Sequence, residues 1–165
     1  MQRKPPDFAK LVEVIAESGA EVVIIGGLAM TVHGSDYVTT DIDFAYNRTR
    51  ENVEKIASAL QELHPRPEGW DPDLPFVLDA ATIFNSSVLT LATDLGSLDL
   101  LGEVAGVKSF SALTSNAHEI ELFGHRVRVA SLEDLIRMKQ AANRPKDQLH
   151  LIELKALLKE GPASE

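Results

Sequence analysis

Apolar and polar positions alternate along the chain with two different periods, and the switches between them outline the elements. Phe8, Leu11, Val12, Ile15 and Ala16 recur at helical spacing behind Asp7, a residue suited to cap a helix, and Gly19 ends the pattern. Glu21 to Ile25 is β-branched and continuous, as a buried strand is, and Gly26-Gly27 breaks it. Leu28 to His33 predicts a short helix stopped by Gly34, Asp41 to Tyr46 a second strand, and Arg50 to Leu63 a helix with Val53, Ile56, Ala57 and Leu60 on one stripe. Four prolines between His64 and Pro75 predict a loop with nothing regular in it, and Asp79 to Asn85 reads as a helical turn.

The second half is built from hairpins and then helices. Val88 to Thr93 and Ser97 to Val104 read as strands joined at Asp94-Leu95-Gly96. A short helix over Phe110 to Ala117 precedes a second hairpin, His118 to Leu122 and Arg126 to Ala130, turning at Phe123-Gly124-His125. Ser131 followed three residues later by Asp134 has capping-box form and opens a helix to about Asn143. Pro145 interrupts, and a last helix runs from Lys146 to Lys159 before a frayed tail. This order predicts an α+β, mixed α/β class of fold: one mixed sheet with helices packed on it and a pair of C-terminal helices, over residues 1–165 as a single domain.

The longest apolar runs fall far short of the roughly 20 residues that span a bilayer, and Met1 to Pro6 carries charge with no apolar stretch behind it, so neither a membrane span nor a secretory signal is expected. Absence of cysteine rules out disulfides and thiolate metal sites and fits a cytoplasmic protein. A net charge of −9 argues against broad attraction to a nucleic-acid backbone. Any such contact falls to a local cluster, Arg126, Arg128, Arg137, Lys139, Arg144 and Lys146, which is equally readable as a solvated face. The five histidines never pair at zinc spacing, and neither a Gly-x-Ser-x-Gly elbow nor a lysine after the double glycine is present.

Three features carry candidate chemistry. Gly26-Gly27 lies between a buried strand and a helix start, where a backbone can approach a phosphate closely. In Asp41-Ile42-Asp43-Phe44 the strand period puts both carboxylates on one face, an arrangement that repulsion and lost hydration disfavour unless a cation lies between them; oxygen ligands suit Mg²⁺. Asp99 interrupts the apolar run Ser97-Leu98-Asp99-Leu100-Leu101, and if that strand neighbours the second one, three carboxylates share a cleft fit for two ions. Asp94 and Glu103 compete for the third place.

Taken together, Gly26-Gly27, Gly34-Ser35, Thr39-Thr40-Asp41-Ile42-Asp43 and Leu98-Asp99-Leu100 resemble the polymerase-beta-type nucleotidyltransferase superfamily, and within it the small bacterial AbiEii-like proteins, which include toxins of toxin–antitoxin pairs. Lys139 and Arg144-Pro145-Lys146-Asp147 resemble the C-terminal helices of those proteins. The resemblance implies a metal-dependent enzyme that moves a nucleoside monophosphate from a nucleoside triphosphate to a hydroxyl group on a tRNA, a partner protein such as an antitoxin, or a small molecule. It further implies that Gly26, Gly27 and Ser35 cradle the triphosphate, that Asp41, Asp43 and Asp99 hold two Mg²⁺ (or Mn²⁺) ions, that Lys139 neutralises phosphate charge with Arg144, and that Asp147 orients one of these two cations. One departure stands out. Tyr37 occupies the place where such relatives carry an arginine, which raises the alternative of a non-catalytic member that binds nucleotide or a partner protein.

Overall fold

The computed structural model describes residues 6–161; the predicted absence of a leader over Met1 to Pro6 (save Pro6 itself) and the frayed tail beyond Gly161 lie outside them. Within that span the chain runs α1 (Phe8–Ser18), β1 (Val22–Ile25), α2 (Gly26–Val32), β2 (Asp41–Tyr46), α3 (Arg50–Gln61), β3 (Arg66–Pro67), α4 (Ala80–Phe84), β4 (Val88–Thr93), β5 (Gly96–Leu101), α5 (Phe110–Asn116), β6 (His118–Leu122), β7 (His125–Val129), α6 (Leu132–Ala142) and α7 (Pro145–Glu160). The strands form one mixed seven-stranded sheet in the order β3-β4-β5-β2-β1-β7-β6. This is the α+β class expected from the sequence.

Local chemistry explains the boundaries. The Asp7 carboxylate accepts from Lys10 N at 3.0 Å and starts α1, and Gly19 closes it in the left-handed region (φ 73°). Ser131 caps α6 by accepting from Asp134 N. Asp134 does not complete a capping box; its carboxylate instead accepts from Arg137 at 2.6 Å and from Asn116. Pro145 does not precede α7 but forms its first residue, where a missing N–H is no loss.

Three expectations shift. Helix α2 begins at Gly26, two residues earlier than predicted, so the double glycine forms the first turn of the helix. Strand β5 ends at Leu101, because Gly102 leaves the ladder to donate to Ser87 O. The proline-rich loop is not wholly irregular: Arg66 and Pro67 pair with Ala92 and Leu91 as a two-residue edge, a place where proline's missing donor does no harm.

The core lies between the sheet and its helices. Ile42 and Phe44 point to the face covered by α1 and α3, and are 0% and 1% exposed beside Leu11, Ile15, Val53, Ile56 and Leu60. Period two then sends Asp41 and Asp43 to the opposite face, where α2, α6 and α7 gather. Strand β2 lies between antiparallel β1 and parallel β5, with Asp43 in register with Ile25 on one side and Asp99 on the other. No helix among the described residues is long and apolar enough to cross a membrane.

Candidate active site

The register of β2 and β5 brings three carboxylates together. One oxygen from each of Asp41, Asp43 and Asp99 lies within 4.8 Å of the other two. Asp99 Oδ1 is buried with no hydrogen-bond partner, an expensive state for a carboxylate. Burial, then a hydrogen bond and charge repulsion from Asp99 and the charge of Asp41, push the Asp43 carboxyl up to about 8, while Lys139 pulls it down. Three hard oxygen donors, one orphaned and one costly to ionise, are a set that a divalent cation would satisfy, and it would invert this local preference for the protonated form. The donor chemistry therefore fits the metal that the sequence resemblance implies.

The glycines are required by this floor. A Cβ on Gly26 would stand 1.9 Å from Asp43 Oδ2, and its φ of +71° disfavours any other residue. A Cβ on Gly27 would meet the Thr39 side chain at 2.7 Å and the Tyr37 ring at 2.9 Å. Thr39 itself donates to Asp41 O at 2.8 Å and reaches Asp41 Oδ1 at 3.3 Å, so it buttresses the first carboxylate.

Facing the carboxylates is a wall from α6 and α7. Asp147 is fully buried and accepts from Arg144 N, Nε and Nη2 and from Lys139 Nζ, at 2.7–3.2 Å. The guanidinium of Arg144 and the ammonium of Lys139 hold its carboxyl well below the usual carboxylate range. Asp147 thus fixes both cations at once. Lys146 joins them in lining a cleft of about 360 Å³ whose floor is the acid triad. His150, one turn beyond Asp147, lines it too; burial and Lys139 hold its imidazole below its ordinary value, and it packs edge-on against Tyr37 with ring centroids 4.7 Å apart.

The cleft brings together Gly26, Gly27, Asp41, Asp43, Asp99, Lys139, Arg144 and Asp147. Ser35 is not among its lining residues: it is buried, and its hydroxyl accepts from Tyr37 N at 3.0 Å. The competitors for the third carboxylate are engaged elsewhere, Asp94 with His64 at 2.6 Å and Glu103 with Arg48 at 3.1 Å. The basic cluster divides. Arg126 and Arg128 share Glu119 on the β6–β7 hairpin, Arg137 pairs with Asp134, and only Lys139, Arg144 and Lys146 line the cleft. Sequence reasoning gave no role to Thr39 or His150. Thr39 stands two residues before Asp41, in the irregular segment that leads into β2, and only its hydrogen bond to Asp41 points to it; His150 stands three residues after Asp147, on the same helix face, and that spacing is the signal that points to it.

Comparisons with known proteins bear on the family and the fold. A family profile described as "Nucleotidyl transferase of unknown function (DUF2204)" matches residues 5–164. No curated protein is matched. Among solved structures, a candidate nucleotidyltransferase from Thermotoga maritima (TM1012) is 17% identical with a TM-score of 0.54, over 96% of each chain. The crystal structure of ANT(2")-Ia in complex with adenylyl-2"-tobramycin is 16% identical with a TM-score of 0.56, over 91% of this chain and 86% of that one. The mixed sheet and its helices are those of the nucleotidyltransferase fold, and with the profile spanning nearly its whole length, this chain belongs to the nucleotidyltransferase family of unknown function.

Proposed function

We propose that the chain transfers a nucleoside monophosphate from a nucleoside triphosphate to a hydroxyl acceptor, with a divalent cation, Mg²⁺ in the first instance, and release of pyrophosphate. The observation that carries this reading is the polarity of one cleft: three carboxylates on the floor, and Lys139, Arg144 and Lys146 on the wall that faces them. A metal–triphosphate complex has the same polarity, cation at one end and phosphate oxygens at the other.

In this reading Asp41, Asp43 and Asp99 would hold the metal, which when bound would supply charge neutralisation and lower the pKa of the acceptor hydroxyl. Thr39 keeps Asp41 aimed at the site, and Gly26 leaves room for the Asp43 carboxylate. Lys139 and Arg144, held by Asp147, neutralise the β- and γ-phosphates together with Lys146. The backbone of Gly26 and Gly27 approaches the phosphate chain from below. The proton of the attacking hydroxyl passes to water, since the orphaned Asp99 Oδ1 is buried and is the oxygen offered to the metal. The oxygen–phosphorus bond to the acceptor forms as the bond from the α-phosphorus to the bridging oxygen breaks, and pyrophosphate leaves toward the cations. Positioning and charge, not covalent chemistry by the protein, supply the rate.

The test is incubation with Mg²⁺ and each of the four α-labelled triphosphates, alone and with tRNA, with cell protein, and with small hydroxylated compounds. The reading requires label on an acceptor and stoichiometric pyrophosphate. A second reading, a nucleotide-binding relative without transfer, is favoured by Tyr37 where relatives carry arginine. It requires saturable triphosphate binding and no label on any acceptor.

A further inference from the structure

The two flanks of the acid triad differ in chemistry, and the difference bears on what the acceptor is. This inference rests on the transfer reading above. In-line displacement places nucleophile and leaving group on opposite sides of the α-phosphorus. With pyrophosphate drawn to Lys139, Arg144 and Lys146, the acceptor hydroxyl comes from the other flank, the one built by β5 and β4. There the register is informative. Asp99 and Leu101 point to the same face of β5, and Val88 of β4 stands directly opposite Leu101. Val104 and Ala105, in the turn after β5, continue the surface up to Met138, because Gly106 tucks against the backbone of Arg137 and Met138.

This flank of the cleft carries no charged lining residue except Asp99 itself. Glu103, the acid closest to it in sequence, is turned away into its pair with Arg48. Val88 is 55% exposed, a large apolar side chain left in water beside a catalytic carboxylate. A polycationic amino sugar would find no counter-charge here beyond the triad's own carboxylates, which the metal would occupy, and an RNA strand would find no cation for its phosphates.

We propose that Val88, Leu101, Val104 and Ala105 form the acceptor subsite, and that the acceptor is a small uncharged alcohol or phenol with an apolar body. The subsite excludes water from the reacting hydroxyl and selects by burial of that body. Specificity of this kind is modest per methylene and strong against charge.

The proposal is tested with benzyl alcohol, glycerol and tobramycin as probes on the intact chain. Methyl NMR spectra are recorded with Mg²⁺ and α,β-methylene-ATP present. Benzyl alcohol is expected to shift the Val88, Leu101 and Val104 methyls saturably, while glycerol and tobramycin at the same concentration leave them in place. With hydrolysable triphosphates, capture of the nucleoside monophosphate as its benzyl ester should exceed capture by glycerol at least fivefold. Val88→Asn, and independently Ala105→Asn at an exposed position, which add no charge to the cleft, should abolish that preference; an unchanged preference in both overturns the proposal. Unmoved methyls, or capture by tobramycin or glycerol equal to that by benzyl alcohol, overturn the proposal. Saturable methyl shifts with no release of nucleoside monophosphate in any mixture sink the transfer reading and leave the apolar subsite in place.

Discussion

Asp43 and Asp99 are register partners on adjacent parallel strands, so two carboxylates stand side by side with a third, Asp41, two residues up the same strand. Neighbouring carboxylates in a half-buried place repel and lose hydration. Asp43 answers by holding its proton to about pH 8.

That shift makes stability depend on pH and metal together. The folded Asp43 carboxyl titrates above the ordinary unfolded range of about 4, so its contribution is full at acid pH and lost as pH rises toward 8. In EDTA the melting temperature should therefore fall between pH 5 and pH 8, and Asp43→Asn should flatten that slope and melt higher than the unaltered chain at pH 8. Millimolar Mg²⁺ should raise the melting temperature of the unaltered chain by mass action and leave Asp41→Asn/Asp43→Asn unmoved. Scanning calorimetry at the two pH values, with and without Mg²⁺, reads all of this; an equal Mg²⁺ response in the double variant places the metal elsewhere.

Asp99 separates binding from chemistry. Asp41 and Asp43 remain in Asp99→Asn, so triphosphate affinity should stay within a few-fold, while transfer falls about 1,000-fold, roughly 4 kcal/mol of barrier. Near-normal transfer by a folded Asp99→Asn variant would remove this residue from the mechanism.

Gly26→Ala tests the seat beneath Asp43. The new Cβ would lie 1.9 Å from Asp43 Oδ2 at a φ of +71°, so the carboxylate or the turn must move. A left-handed non-glycine residue alone costs about 1–3 kcal/mol. Urea denaturation should show a loss of at least that size, with the Mg²⁺-dependent rise in melting temperature much reduced.

Asp147 is buried, and it ties two cations that belong to different helices. Asp147→Asn keeps an oxygen for the α7 cap but removes the charge between Lys139 and Arg144. Breaking a buried pair costs about 3–5 kcal/mol; with the Arg144 side chain 57% exposed, roughly 2–3 kcal/mol is expected here. The Asp147 carboxyl is held below its ordinary value, so its contribution stands above about pH 4 and is lost as pH falls below it. The variant's deficit relative to the unaltered chain should accordingly narrow in strong acid, as measured by denaturant titration at pH 7 and pH 2.

Much of this molecule was legible in the sequence because its strands keep a strict period of two. Asp41 and Asp43 on one face, Ile42 and Phe44 on the other, follow from alternation alone. The isolated Asp99 in an apolar run was legible for the same reason, and its place beside Asp43 needed only that β5 neighbour β2. For Ser35 the sequence does not show its surroundings: the Gly34-Ser35 pair looks like a phosphate turn, and in the fold the residue is buried with its hydroxyl accepting from Tyr37 N. The six basic residues, close in sequence, divide in space: Arg126 and Arg128 share Glu119 on a hairpin strand, Arg137 pairs with Asp134, and Lys139 and Arg144 share Asp147 and line the cleft with Lys146. Nor does local pattern reveal that the turn after β5 passes against α6 and brings Val104 and Ala105 to the cleft, since that depends on long-range packing at Gly106.

In the proposed reading the acid floor and the cationic wall act on one metal–triphosphate complex. Calorimetric titration with each nucleoside triphosphate and its monophosphate, in Mg²⁺ and in EDTA, tests it most directly. At least one triphosphate should bind ten times or more tighter than its monophosphate, EDTA should abolish the difference, and Asp41→Asn/Asp43→Asn should do the same. Equal affinity for triphosphate and monophosphate, or binding indifferent to Mg²⁺ and to the double substitution, would contradict it.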